Sequence, residues 1–266
     1  MMRKLRKLGR YSVARLQPRS ALPFLWHIGQ PNFGDDLNPA LFGLIAERGV
    51  RLERRHDRPH FLGMGSILAR ATPSSIVLGA GFLTPPARHD LQGQIVSVRG
   101  ALSRDAIAQR GEILLGDPMV LLNLLAPFKR QADGPLGFVP HVSEFKRTRR
   151  LRVAGLKVID PALPPWRVVQ EIAGCGRIMS QSLHGLIVAD ALAIPNLWIA
   201  PGPAMVGGDF KFRDYFSTLD GPKAAHPFHH DLLKVPPGAG FDVGIYKYDK
   251  RSYLETLRNT IAGFRT

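Results

Sequence analysis

The chain has 266 residues, 45% hydrophobic and 21% charged, with a formal net charge of +15 and a single cysteine, Cys175. This length exceeds the usual single-domain size and makes two halves of about 130 residues the default expectation, while the composition excludes a disordered chain. One cysteine allows no internal disulfide and no cysteine-based zinc site, so a reducing, cytoplasmic setting is expected, with Cys175 as a small buried hydrophobe.

The positive charge implies an anionic partner: nucleic acid, a lipid surface or a phosphorylated small molecule. Part of it is concentrated in a basic N-terminal segment, residues 1–20, where Arg3, Lys4, Arg6, Lys7, Arg10, Arg15 and Arg19 all precede the first acidic residue, Asp35. Met1, Met2, Leu5, Leu8 and Val13 are interleaved with these cations, a pattern that fits either an amphipathic helix on anionic lipid or a solvated tail. The segment lacks the apolar core and cleavage site of a secretory signal, and no run approaches the roughly 20 apolar residues needed to span a bilayer. The expected location is the cytoplasm, extended to peripheral attachment on the inner face of the cytoplasmic membrane.

In chain order, the apolar run Pro23 to Gly29 reads as a strand, followed by the loop QPNFGDDLNP and a helix from Leu37 to Arg48. Ile76 to Phe82 and Ile95 to Val98 read as buried strands, Ala101 to Arg110 as a helix, Ile113 to Leu115 as a strand, and Pro118 to Leu125 as a helix opened by proline. The polar, Pro- and Gly-containing stretch Ala126 to Pro135 is the expected linker. The pattern then restarts with the strand Leu136 to Pro140, a basic loop from Lys146 to Arg152, and the strand Leu156 to Ile159. A helix from Pro164 to Ala173, a strand Ile178 to Ser180, a helix His184 to Ala193 and a strand Asn196 to Ile199 follow, with a closing helix over Ser252 to Phe264. Strands alternating with helices predict an α/β protein of two Rossmann-like domains, residues 21–128 and 129–266. In open sheets of this kind ligands bind beyond the carboxyl ends of the strands, so strand-end residues are the candidates for function.

In RIMSQSLHGLIVADALAIPN the strand stops at Ser180, Gln181 and Ser182 and a helix begins near His184 and Gly185, where free amides and the helix dipole favour an anion. A histidine there is suited to proton donation, although Ser182 acting only as a cap beside a surface histidine is the plainer reading. In the loop after the first strand, Gly34 permits an unusual turn and Asn32 and Asp35 can face the crevice; the residues alone leave open whether this loop binds a ligand or only turns and caps. Gly65 and Ser66 in GMGSI fit either an oxyanion cradle or an ordinary tight turn, and Arg99 at the end of IVSV offers a bidentate clamp for carboxylate or phosphate. Asp117 in LGDP is expected to cap the following helix, His141 follows another strand, and Lys211 and Arg213 lie amid aromatics in GGDFKFRDYF, either to neutralise a phosphate or as ordinary solvated cations. His226, His229 and His230 lack the companions that would complete a coordination geometry, so no metal site is expected.

The ordered set NFGDDLN, GMGS, VRGALSR, LGDP, GFVPH, VIDP, SQSLHGLIVADALAIPN and FKFRDYF resembles the polysaccharide pyruvyl transferase family, especially its bacterial exopolysaccharide ketal-pyruvate branch. The resemblance runs from about Trp26 to Tyr215. It implies two facing Rossmann-like domains similar to GT-B-like glycosyltransferases, with the acceptor on the N-terminal side and the donor on the C-terminal side. It also implies phosphoenolpyruvate as donor substrate with no cofactor, and transfer of pyruvate as a ketal onto a sugar of an exopolysaccharide or lipid-linked oligosaccharide, with an anionic membrane surface as a further partner. By this resemblance His184 is the catalytic proton donor, Asp35 the second catalytic residue, and Asn32, Gly34, Gly65, Ser66, Arg99, His141, Ser182, Gly185, Lys211 and Arg213 bind substrate. Many relatives carry arginine where this chain has Ser182, so another cation, Lys211 first, must meet the donor anion. The competing expectations are a sugar-nucleotide-dependent glycosyltransferase of the same architecture and a basic nucleic-acid-binding protein. The chain shows no recognition-helix, RNP or finger pattern for the latter, and no nucleic-acid partner is expected.

Overall fold

The computed structural model describes residues 18, 20–86, 90–108, 111–200, 202, 205–234 and 237–265, so the basic segment 1–20 lies outside the described residues except at Pro18 and Ser20. Strands β1 (Leu22–Leu25), β2 (Val50–Leu52), β3 (His60–Leu62), β4 (Ser75–Ala80), β5 (Gln94–Val98) and β6 (Leu114–Leu115) form one sheet in the order β2-β1-β3-β4-β5-β6. Strands β7 (Leu136–Val139), β8 (Leu156–Val158), β9 (Arg177–Ser180) and β10 (Asn196–Trp198) form a second sheet in the order β10-β9-β7-β8. Every strand pair in both sheets is parallel. Parallel sheets are covered on both faces, which is why β1 is buried along its whole length and β4 along most of it instead of alternating.

The two sheets repeat one topological idea. In each, the first strand lies between the second and the third, as β2-β1-β3 and as β8-β7-β9. The chain therefore leaves the first strand in one direction and returns on its other side, and the loops after the first and third strands splay apart at their carboxyl ends. That opening is where an open parallel sheet receives a ligand, and this fold contains two of them.

Helices fill the crossovers: α1 (Phe33–Asp36), α2 (Asn38–Ala46), α3 (Ala101–Asp105), α4 (Leu122–Leu125), α5 (Phe145–Thr148), α6 (Pro165–Ala173), α7 (Leu183–Ala191), α8 (Phe210–Phe216), α9 (His230–Lys234) and α10 (Lys250–Ala262). Helix α6 turns Val168, Val169 and Ile172 inward and keeps an Arg167–Glu171 ion pair at 3.1 Å outside, the amphipathic arrangement of a surface helix. Helix α7 is buried at all of its positions because it runs through the middle of the molecule. A single apolar cluster joins Phe24 and Leu41, through Leu186 and Val188, to Tyr253 and Leu257. The closing helix α10 packs back onto the N-terminal unit: Arg258 Nε donates to the carbonyl of Ile45 at 3.1 Å and Tyr253 OH to that of Gly116 at 2.7 Å.

Several expected elements differ in extent. The helix expected from Ala101 to Arg110 stops at Asp105, after which Ile107 turns inward as part of the core. The helix expected from Leu37 to Arg48 is Asn38–Ala46, closed by Glu47 in the left-handed region at φ 51. Part of the expected basic loop forms α5, and FKFRDYF forms α8. No helix among the described residues is long and apolar enough to cross a membrane.

Candidate active site

The two sheet openings meet in one cavity of about 440 Å³. The N-terminal sheet contributes His27 and Asn32 from the loop after β1, Asp35 from α1, and Ser66 and Arg70 from the segment after β3; the C-terminal sheet contributes His141 after β7 and Ser182 and His184 after β9. Pro161, Leu83 and Lys211 of α8 complete much of the wall. Seven of the residues expected from the sequence therefore converge: Asn32, Asp35, Ser66, His141, Ser182, His184 and Lys211.

His184 is the second residue of α7, and Ser182 is its N-cap, with Oγ accepting from the amide of Gly185 at 3.4 Å. The amides of Leu183 and His184, at the first two helical positions, have no carbonyl one turn earlier within the helix to bind. Gly185 lets α7 approach the sheet, since a Cβ there would stand 2.5 Å from Ser180 Oγ. His184 is 8% exposed, and its ring packs edge-on to Phe33 at 6.3 Å between ring centroids. Burial first, then the charges of Lys211 and Arg99, lower its pKa to about 3, which makes it neutral at pH 7.

Gly34 lies directly against this ring. A Cβ there would overlap the imidazole at Nδ1, so the glycine is required by close approach. The neighbouring Asn32 donates through Nδ2 to Asp35 Oδ2 at 2.9 Å, and Asn38 bridges the carbonyls of Asp35 and Met64 through its Nδ2. Gly65 adopts φ +117, and a Cβ there would come within 3.1 Å of Asp35 Oδ1. Gly34 and Gly65 thus shape the site from behind rather than lining it.

Lys211 faces the cavity from the second position of α8, and burial followed by the charge of Arg99 lowers its pKa to about 8. His141 is held by Ser143 Oγ at 2.8 Å from Nδ1, and burial followed by Lys211 lowers its pKa to about 4. Two expected anion clamps are placed elsewhere. Arg99 is fully buried: its Nε donates to Asp214 Oδ2 at 2.9 Å, its Nη1 to Ser66 Oγ at 2.9 Å and its Nη2 to the carbonyl of Phe82 at 2.6 Å. It reaches the cavity through Ser66 and through its charge, not by direct contact. Arg213 is exposed and paired with Asp209, because two residues along a helix turn a side chain by about 200° and Lys211 holds the inner face.

Sequence reasoning took Asp117 only as a cap, and it is one: Oδ1 accepts from the amide of Met119 at 3.0 Å. The other oxygen, Oδ2, is buried without a hydrogen-bond partner and lies 3.9 Å from His184 Nε2, which is likewise buried and unpartnered. Leaving such a group unsatisfied costs about 1–3 kcal/mol. Burial raises the Asp117 pKa to about 6. Arg70, exposed at the end of a short 3-10 turn over Leu68–Arg70, was also missed; the signal was its place as the first cation after GMGSILA. Cys175 is buried, its thiol pushed up to about 11 by burial, and lies outside the cavity lining.

Known proteins bear on this geometry. The family model described as polysaccharide pyruvyl transferase matches residues 76–203, a span that holds Asp117, His141, Ser182 and His184. The chain is 29% identical over 208 residues to the succinoglycan biosynthesis protein ExoV of Rhizobium meliloti (strain 1021), an alignment covering 74% of this chain and 64%, just under two thirds, of that protein. It is also 29% identical over 204 residues to the uncharacterized protein L143 of Acanthamoeba polyphaga mimivirus, covering 71% of each. A crystal structure of an uncharacterized Klebsiella pneumoniae protein aligns over 81% of this chain and 94% of its own at 11% identity, with a TM-score of 0.40. Residues 76–203, a little under half of the chain, thus match the polysaccharide pyruvyl transferase model, and the chain as a whole is similar to ExoV.

Proposed function

We propose that this protein transfers the enolpyruvyl group of phosphoenolpyruvate to a sugar of an exopolysaccharide or lipid-linked repeat unit, forming a pyruvate ketal and releasing phosphate. The observation that carries this reading is the position of His184 at the start of a buried helix, on the wall of a cavity that also holds Lys211, His141 and Arg70. Phosphoenolpyruvate concentrates a phosphate and a carboxylate in a small volume, which suits a wall with cations and free helix-start amides. The two parallel sheets that meet at the cavity are read as a GT-B-like arrangement, with Asn32 and Asp35 on the acceptor side and Lys211 and His184 on the donor side. A phosphate-linked lipid acceptor and an anionic membrane surface belong to the same proposal.

In this mechanism the donor's negative charge offsets Lys211 and Arg99, which otherwise repel a proton from His184. The imidazole becomes protonated as the donor binds and passes its proton to the methylene carbon, leaving C2 electrophilic. One sugar hydroxyl attacks C2 and loses its proton to Asp35. A second hydroxyl then attacks the same carbon, the C2–O bond to phosphate breaks, and phosphate leaves with the electron pair. One proton has gone to carbon; of the two lost by the hydroxyls, one is on Asp35 and the other leaves with the phosphate.

A thermal-shift titration tests the donor assignment. Phosphoenolpyruvate at 100 times its Kd is expected to stabilise the fold by about 2.7 kcal/mol, a rise of several degrees in Tm. Lys211→Met is expected to weaken that binding about 10- to 100-fold, because it removes a charged partner of the anion. Stabilisation by a UDP-sugar with none by phosphoenolpyruvate would reassign the protein to sugar-nucleotide chemistry.

A further inference from the structure

We propose that Asp117 is the positioning residue of the site, holding His184 through Nε2 so that Nδ1 is the nitrogen that gives its proton to the donor. This rests on the reading above, in which His184 is the acid. The inference starts from two unpartnered polar atoms that face each other. Asp117 Oδ2 and His184 Nε2 are both buried, both lack a hydrogen-bond partner, and stand 3.9 Å apart. That gap is too long for a hydrogen bond. A movement of about 1 Å by either group closes it to a charge-assisted contact.

The surroundings show which group is fixed. Asp117 is anchored by its cap to Met119, and the turn before it is gripped from behind: Tyr253 OH donates to the carbonyl of Gly116 at 2.7 Å and Tyr246 OH to that of Leu115. On its other side the His184 ring packs against Gly34, and of its two nitrogens Nε2 is the one buried without a partner. The imidazole thus sits between a glycine of the acceptor-side loop and a carboxylate at the end of β6, with its two nitrogens facing different surroundings. Asp117 lies fully inside the protein and does not line the cavity, so its effect on the donor passes through the histidine.

The charges around the pair set the direction of the effect. His184 is faced by Lys211 and Arg99, both of which disfavour the imidazolium, and Asp117 by Arg99, Asp35 and Asp214. An ionised Asp117 is the nearby group that opposes this repulsion from the deep side. Once the donor anion is bound, contact with Asp117 keeps the Nε2 proton in place and stabilises the imidazolium until Nδ1 releases its proton. The neutral imidazole that remains is the Nε2–H tautomer, ready for another proton at Nδ1.

Two measurements on the full chain test this. In Asp117→Asn, kcat for phosphate release from phosphoenolpyruvate with a glycan acceptor is expected to fall about 100- to 10,000-fold with KM for phosphoenolpyruvate changed by less than about threefold. Any remaining activity should show its alkaline limb displaced to lower pH, since the acid has lost the carboxylate that favours its protonated form. A variant with wild-type kcat and an unmoved pH profile, in a preparation whose wild type turns over phosphoenolpyruvate, overturns the role of Asp117 and leaves the pyruvyl-transfer reading standing. A wild type that neither binds nor turns over phosphoenolpyruvate overturns that reading and the proposal with it. Should Asp117→Asn not fold, histidine side-chain 15N resonances of the wild type decide: the Nε2–H tautomer for His184 at pH 7 supports the proposal, and the Nδ1–H tautomer overturns it.

Discussion

His184→Ala is expected to lower turnover about 100- to 10,000-fold while leaving the protein folded, the range seen when a positioned acid is removed. The expectation follows from the placement of the imidazole at the junction of the two sheet openings and from its local electrostatics. The ring is neutral at pH 7, with its pKa lowered to about 3 by burial, Lys211 and Arg99. A group lowered first by burial and then by cationic neighbours responds to an arriving anion that offsets those charges. Binding of phosphoenolpyruvate and the loss in turnover should therefore separate: the variant keeps Lys211 and the α7 amides and still binds the donor. Phosphate release with a glycan acceptor, beside a melting curve of the same preparation, measures both. A folded variant with full turnover removes His184 from the mechanism.

Asp214→Ala is expected to cost about 3–5 kcal/mol of stability, because it leaves the fully buried Arg99 guanidinium without its counter-charge. Asp214 sits on α8 and Arg99 at the end of β5, both with 0% side-chain exposure and 2.9 Å apart. The same carboxylate accepts from the amide of Ser103 at 2.8 Å and from its hydroxyl at 2.6 Å, which ties the start of α3 to α8. Loss of this joint also frees Lys211, one turn before Asp214, and Ser66, which Arg99 holds at 2.9 Å. Urea unfolding reads the effect directly, and the double replacement Arg99→Met with Asp214→Leu should recover part of the loss by removing both charges. A single variant within about 1 kcal/mol of wild type would mean that the pair does not hold α8 to the N-terminal sheet.

The parallel architecture was legible because its main strands are continuous apolar runs closed by Gly, Pro or a polar residue, as in SIVLGA and QIVSV. β2 at three residues is too short to carry a period, and it escaped notice. The return of α10 to the N-terminal unit rests on contacts such as Arg258 to Ile45, which no local pattern encodes. Strand ends were a legible signal for the cavity wall, which Asn32, Ser66, His141 and Ser182 line. Arg99 obeyed the same rule and was misplaced by it, since its acidic partner comes from a helix that sequence reading left unassigned. Asp117 shows the converse: capping uses one of its two oxygens, and nothing local indicates where the other is aimed.

The central claim is that His184 makes phosphoenolpyruvate electrophilic by protonating its methylene carbon, and the isotope content of the product tests it. The reaction is run in heavy water and the transferred group examined by mass spectrometry and NMR. A ketal whose methyl carries one solvent-derived deuterium, with the rate of its formation lost in His184→Ala, is the predicted result. A product that retains the vinyl group, or a methyl without solvent deuterium, would contradict it.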